Sequence, residues 1–126
     1  MRYCINGGET NVGRRISRIG TSSKFDPVLA EVIYRWFNVN GGKILDPFAG
    51  EQVKGVVAGV LKYPYYGIDI RPKQVKWNIL RTRKWPNIRY YCGDALNVSK
   101  LIKERDFDLI FTSPSYYTFL INFRHF

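Results

Sequence analysis

The sequence predicts an α/β domain built on a mostly parallel sheet of about four strands, with helices on both faces. Two observations predict it. Short apolar runs alternate with segments of helical period, in the order helix, then strand and helix three times, then strand. Such alternation requires right-handed crossovers that lay helices over a parallel sheet. The second observation is that every strand candidate runs into a polar turn, and open α/β sheets bind ligands beyond the carboxyl ends of their strands.

The elements follow in chain order. Residues 1–24 are polar, Gly-rich and without period, which predicts a basic N-terminal arm before a core over 25–126. Asp26-Pro27 marks a helix start, since Asp caps free N–H groups and Pro fits the first turn. Val28, Leu29, Val32, Ile33, Trp36 and Phe37 then recur at helical spacing, predicting an apolar face, and Asn40-Gly41-Gly42 ends the helix. "KILDPF" reads as a buried strand ending at Asp46. "VKGVVAGVLK" reads as a helix whose small residues let it lie close to a sheet, and "YYGIDI" as a second strand. Pro72 opens a basic helix to about Lys84, closed by Trp85-Pro86-Asn87. "IRYYCGDA" is a third strand, "NVSKLIKER" a short helix and "FDLIFTS" a fourth strand.

Composition narrows the function. With 126 residues, 45% hydrophobic and 24% charged, the chain suits one folded domain rather than a disordered segment or two domains. No apolar run approaches a membrane span and no secretory leader is visible, so a cytoplasmic location is expected. Cys4 and Cys92 share no metal-ligand spacing, so no metal site is expected, and two reduced thiols are. The net charge of +10 implies a polyanionic partner. Arg14, Arg15 and Arg18 form one basic cluster; a second runs through Arg71, Lys73, Lys76, Arg81, Arg83, Lys84 and Arg89.

The four strand ends carry the chemistry: Asp46-Pro47-Phe48-Ala49-Gly50, Asp69, Gly93-Asp94, and Ser113-Pro114-Ser115-Tyr116. Asp69 stands roughly 20 residues beyond the glycine turn, the spacing at which a carboxylate meets ribose hydroxyls in nucleotide-binding α/β folds. The G-x-G-x-x-G pattern is absent, which favours a ligand with a ribose and no phosphate over a dinucleotide.

In that order, "DPFAG", "GIDI", "CGDA" and "TSPSY" resemble motifs I to IV of the S-adenosylmethionine-dependent DNA amino-methyltransferases. "SKFDPVLAEVIYRWF" resembles their motif X, and X before I before IV is one of that family's permutations. The resemblance spans roughly residues 17–117 and implies a Rossmann-like methyltransferase fold, here C-terminally incomplete. It implies S-adenosylmethionine as cofactor and DNA as partner, with methyl transfer to adenine N6 or cytosine N4. Phe48 and Gly50, with Pro47 and Ala49, would surround the methionine part. Asp46 would orient the loop or the amino group, and Lys24, Phe25 and Asp26 would close over it. Asp69 would hold the ribose. Asp94, within Gly93-Asp94-Ala95, would accept from the adenine amine, with Ile70 flanking the ring.

The fourth turn would hold a flipped base, with the Ser113 side chain and the Pro114 carbonyl accepting from its amine and Tyr116 stacking on it. Tyr117 and the Arg14, Arg15, Arg18 cluster would contact nucleic acid. The sequence departs from the family at Ser115, where a second proline is usual, and at Glu51-Gln52, where small residues are usual. It also ends where the family's sheet continues. The alternatives are a catalytically inactive cofactor- or nucleic-acid-binding remnant, one subunit of a split enzyme, or an enzyme acting on RNA or protein amines. The open fourth strand is expected to pair with a second copy or a complementary chain.

Overall fold

The computed structural model describes residues 24–114. Helix α1 (Pro27–Phe37) precedes strand β1 (Ile44–Asp46). Then come helix α2 (Val53–Val60), strand β2 (Tyr65–Asp69), helix α3 (Pro72–Thr82) and strand β3 (Ile88–Cys92). A 3-10 turn (Ala95–Asn97) runs into the one-turn helix α4 (Val98–Leu101), and strand β4 (Leu109–Ile110) follows. All strand pairs are parallel and the order is β3-β2-β1-β4. The α/β class, element order and parallel sheet predicted from the sequence are therefore present. In this order, β1 and β2 occupy the centre and each is buried along its whole length.

Alternation along the strands divides the core into two layers, as a period of two requires. Ile44, Tyr65, Ile88 and Tyr90 point to the face covered by Ala30 and Tyr34 of α1, Ala58 of α2 and Val75 of α3. Leu45, Tyr66 and Ile68 point to the other face, where Ile102 packs with Val98, Leu101 and Phe107. Among the described residues, the sheet thus carries three helices on one face and α4 with its following loop on the other. Close approach of α2 depends on Gly55. A Cβ there would lie 2.1 Å from the Tyr90 hydroxyl oxygen, so only glycine lets the helix lie on the sheet at this height.

Helix α1 starts as predicted, with Asp26 Oδ1 accepting from the N–H of Val28 at 2.8 Å and of Leu29 at 3.4 Å. Its inward face is not the predicted one. Ala30 and Tyr34 are buried, whereas Val28, Leu29, Trp36 and Phe37 are exposed, Trp36 to 71%. The physical reason lies in what the core side offers. Ala30 permits close contact there. Tyr34 meets Tyr63 and Phe111 edge-on and donates its hydroxyl to the Lys54 carbonyl at 3.1 Å, an anchor no aliphatic side chain provides.

Smaller differences concern ends. Helix α3 stops at Thr82, where the hydroxyl donates back to the Asn78 carbonyl at 2.7 Å. The segment after β3 is a 3-10 turn and a single helical turn rather than one continuous helix. Among the described residues no cysteine is free, so the expectation of a reduced thiol is not met at Cys92. No described helix is long and apolar enough to cross a membrane.

Candidate active site

The carboxyl ends of the parallel strands carry Asp46, Asp69, Gly93-Asp94 and Thr112-Ser113 along the same edge of the sheet. At the end of β1, Asp46 is fully buried. Its Oδ2 lies 2.7 Å from Lys54 Nζ and accepts from the Tyr65 hydroxyl at 2.7 Å. Its Oδ1 accepts from the Thr112 hydroxyl at 2.7 Å. Thr112 Oγ1 in turn accepts from the Phe48 N–H at 3.1 Å. A buried charge is tolerated only when paired and hydrogen-bonded, and Asp46 is both.

Lys54, 2% exposed, completes this assembly. Its ammonium reaches Ser113 Oγ at 3.3 Å and sits over the rings of Phe25 at 5.6 Å and Phe111 at 5.8 Å. One lysine from α2 therefore joins the turn after β1 to the turn after β4, under an aromatic cover. Burial and then the Asp46 carboxylate hold the Tyr65 and Tyr34 hydroxyls well above the ordinary tyrosine pKa, so both stay protonated donors.

The end of β2 is organised around Asp69. Its Oδ2 accepts from the Gly50 N–H at 3.1 Å and from Arg71 Nη2 at 3.0 Å. Its Oδ1 accepts from the Arg71 N–H at 2.9 Å and from Arg71 Nε at 3.0 Å. Gly50 presents its N–H from a left-handed conformation, φ +60°, and nothing lies within 4 Å of where a Cβ would stand. The backbone of the first turn is thus tied to the second strand end, across the 19 residues separating Gly50 from Asp69. Asn78 of α3 adds a bond to the Gly50 carbonyl at 2.8 Å, and Ala49 N–H donates to the Ile68 carbonyl at 2.8 Å. Phe48 and Ile70 flank this region with exposed side chains.

At the end of β3, Gly93 N–H donates to the Asp69 carbonyl at 3.1 Å. Asp94 caps the 3-10 turn through the Leu96 N–H at 2.9 Å and is exposed, with Ala95 half-buried beside it. A cavity of about 550 Å³ runs alongside β3, lined by Val75, Ile79, Tyr90, Tyr91, Leu101 and the lysines 73, 76 and 100.

The predicted residues fall into three groups. Gly50, Asp69 and Gly93 are brought into one hydrogen-bonded set, with Ala49, Phe48, Ile70 and Asp94 around it. Asp46 lies inside the protein, with both carboxylate oxygens accepting from protein groups, and is joined through Lys54 to the exposed Ser113. Phe25 turns inward onto Phe111, with ring centroids 5.4 Å apart, and Asp26 is occupied as the α1 cap, with Lys24 exposed beside it. Pro47 is half-buried within the turn and Pro114 is exposed after Ser113. Ser115, Tyr116, Tyr117, Arg14, Arg15 and Arg18 lie outside the described residues.

Sequence reasoning missed Lys54, Tyr65, Thr112 and Arg71 as members of the site. Lys54 carried a usable signal: it is a lone charge in an otherwise apolar and small helix, where a buried partner is required. Among the described residues no group of three or more metal-ligating side chains is assembled.

No family model and no curated protein matches the chain. Among solved structures, the crystal structure of TrmN from Thermus thermophilus is similar to it, with a TM-score of 0.64 and 23% sequence identity over 81% of the chain. The matched part is 32% of TrmN, so the chain spans about a third of that protein's length. TrmN is a S-adenosylmethionine-dependent tRNA methyltransferase. At this level of identity the likeness speaks for architecture: the chain has the α/β, Rossmann-like fold that TrmN also contains.

Proposed function

We propose that this chain is the core of a S-adenosylmethionine-dependent methyltransferase whose substrate is an exocyclic amine of adenine (N6) or cytosine (N4) in DNA. One observation carries the reading: Asp69, at the end of β2, is held by the backbone N–H of Gly50, while the Ser113 turn is held to the turn after β1 through Lys54 and Thr112. The two turns that this reading assigns to the nucleoside and to the amine are thereby tied to one frame.

The reading assigns the nucleoside cofactor to Asp69, Gly50, Ile70 and Asp94, with the Arg71 guanidinium occupying part of the Asp69 carboxylate in this structure. These residues leave no atom within 4 Å of where a Cβ would stand on Gly50, and Ile70 presents an exposed side chain. They do not fit a ligand contact at Asp46, whose role is to orient Thr112 and, through it, Phe48. S-adenosylmethionine, when bound, supplies an electrophilic methyl group. The chain's own work is positioning, which in such transfers supplies much of the rate. Lys54 can only donate, so Ser113 Oγ is an acceptor toward it. The second lone pair of Ser113 and the Pro114 carbonyl remain to accept the two protons of an exocyclic amine. The net charge of +10 supplies non-specific attraction for the phosphate backbone.

A second reading is favoured by the likeness to TrmN: the amine belongs to RNA rather than DNA. A third is an inactive remnant or one subunit of a split enzyme. It is favoured by β4, a two-residue strand at the edge of the sheet among the described residues, with Ile110 65% exposed, where a second copy or a complementary chain could pair.

Calorimetry with S-adenosylmethionine at low salt, followed by labelled methyl transfer to duplex DNA and to tRNA, separates these. Binding with transfer to DNA supports the first reading and transfer to tRNA alone supports the second. Binding without transfer supports the third, and no cofactor binding removes the methyltransferase reading.

A further inference from the structure

We infer that Arg71 is a displaceable latch on the Asp69 carboxylate, and that the ligand which opens it is a cis-diol, the ribose of a nucleoside. The inference rests on the proposed cofactor reading. A carboxylate offers about four lone-pair positions. In this structure four donors fill them: the Gly50 N–H, the Arg71 N–H, and the Nε and Nη2 of the same arginine. Asp69 is therefore saturated by its own chain, and no ribose hydroxyl can bond to it while all four contacts stand.

The four donors are not equivalent. Those of Gly50 and Arg71 N belong to the backbone, within a turn fixed by Asn78 and at the N-cap of α3, and cannot leave without unmaking both. The two guanidinium donors sit on a side chain that is 54% exposed, whereas Asp69 is 8% exposed. The arginine fork can swing into water, where its charge is well solvated; the carboxylate cannot. Its departure vacates one position on Oδ1 and one on Oδ2. The two hydroxyls of a ribose donate two hydrogen bonds from adjacent carbons, a bidentate replacement for a bidentate fork. A ligand with one hydroxyl, or none, would leave a buried lone pair unsatisfied and would compete poorly with the arginine. The latch thus makes the site selective for an intact diol and lowers affinity for any nucleoside by the strength of the ion pair.

The test is calorimetry on the whole chain, with S-adenosylmethionine and the 2′-deoxy analogue of S-adenosylhomocysteine as probes. It compares the wild type, Arg71→Met and Arg71→Lys. An ion pair of this exposure corresponds to about a fivefold change in binding constant. Expected is about fivefold tighter binding of S-adenosylmethionine by Arg71→Met, a smaller gain for Arg71→Lys, and a smaller preference for the intact diol in Arg71→Met than in the wild type. Silence in the wild type with binding by Arg71→Met would support latch and cofactor together. Binding by the wild type with equal or weaker binding by Arg71→Met overturns the latch alone and leaves the cofactor reading standing. Silence in all three proteins overturns both. Arg71→Lys, which keeps the charge without the fork, guards against a general effect of removing a cation.

Discussion

Lys54 and Asp46 face each other inside the protein at 2.7 Å, with exposures of 2% and 0%. They come from different elements, α2 and β1, and their pair is extended by Tyr65, Thr112 and Ser113 into a network that holds two strand-end turns together. Breaking a buried pair on one side strands the other charge, whereas removing both leaves little to desolvate. Lys54→Met should therefore destabilise the fold by about 3–5 kcal/mol. Combining it with Asp46→Asn should restore a large part of that loss. Urea denaturation of the two single variants and the double variant measures it; an additive double variant would show that the two residues are not coupled.

Thr112 is the link from Asp46 to the first turn, through the Phe48 N–H. Thr112→Val keeps the shape and removes both bonds, at a cost of about 1–3 kcal/mol for groups left unsatisfied. The expected signature beyond stability is faster hydrogen exchange at the Phe48 amide, with the amides of β2 unchanged.

The alkaline limit of stability follows from the tyrosines. Burial first, and the Asp46 carboxylate next, raise Tyr34 and Tyr65; burial also raises Tyr90. The folded-state values lie above the unfolded value of about 10, so the unfolded state loses protons first as pH rises. The contribution of these groups is fully present below about pH 10 and declines above it as pH climbs toward the folded values. Urea midpoints measured from pH 8 to 11 should be flat at first and then fall. Tyr65→Phe should make the fall shallower.

Tyr90 holds a second prediction. Among the described residues its buried hydroxyl makes no hydrogen bond of good geometry, with the Tyr65 hydroxyl its polar neighbour, and it lies against Gly55. Removing an unsatisfied buried hydroxyl should be neutral or stabilising by up to about 1 kcal/mol. Tyr90→Phe is thus expected to raise the melting temperature slightly. Gly55→Ala, which drives a Cβ into the same spot, should lower stability by about 1–3 kcal/mol. Thermal denaturation of both variants checks the pair of signs.

On the proposed function, nucleic-acid affinity should fall steeply with salt. A protein releasing counterions from several phosphates loses more than about tenfold between 50 and 200 mM salt. Filter binding of duplex DNA across that range measures the slope. A flat response would indicate that the charge of +10 serves solubility instead.

What could be read from the chain alone was local. The Asp26-Pro27 start of α1 is a capping interaction between residues two and three apart, so its partners were visible in sequence. The alternation of strands and helices gave the parallel sheet, because the crossovers have one favourable hand. The strand-end turns, with Asp69 and the glycine turn among them, were legible because chemistry at strand ends does not depend on packing detail. Ser115, Tyr116, Tyr117 and the Arg14, Arg15, Arg18 cluster remain sequence readings, outside the described residues.

Tertiary structure decided the rest, and in each case the reason is distance along the chain. The apolar stripe of α1 looked like its core face. Which face turns inward was set by Tyr34 reaching the Lys54 carbonyl, 20 residues away, and by the rings of Tyr63 and Phe111. Asp46 looked available to a ligand, but the fold buries it fully and engages both its oxygens with Lys54, Tyr65 and Thr112, the last of them 66 residues distant. Asp69 was placed by spacing alone, but that Arg71 closes it is a matter of rotamer and exposure, which no spacing encodes. The sequence by itself determined an α/β sheet whose strand ends carry carboxylates and a serine turn. Only the fold decided which carboxylate is buried structure and which lies beneath a removable arginine, because burial and lone-pair occupancy belong to contacts between elements.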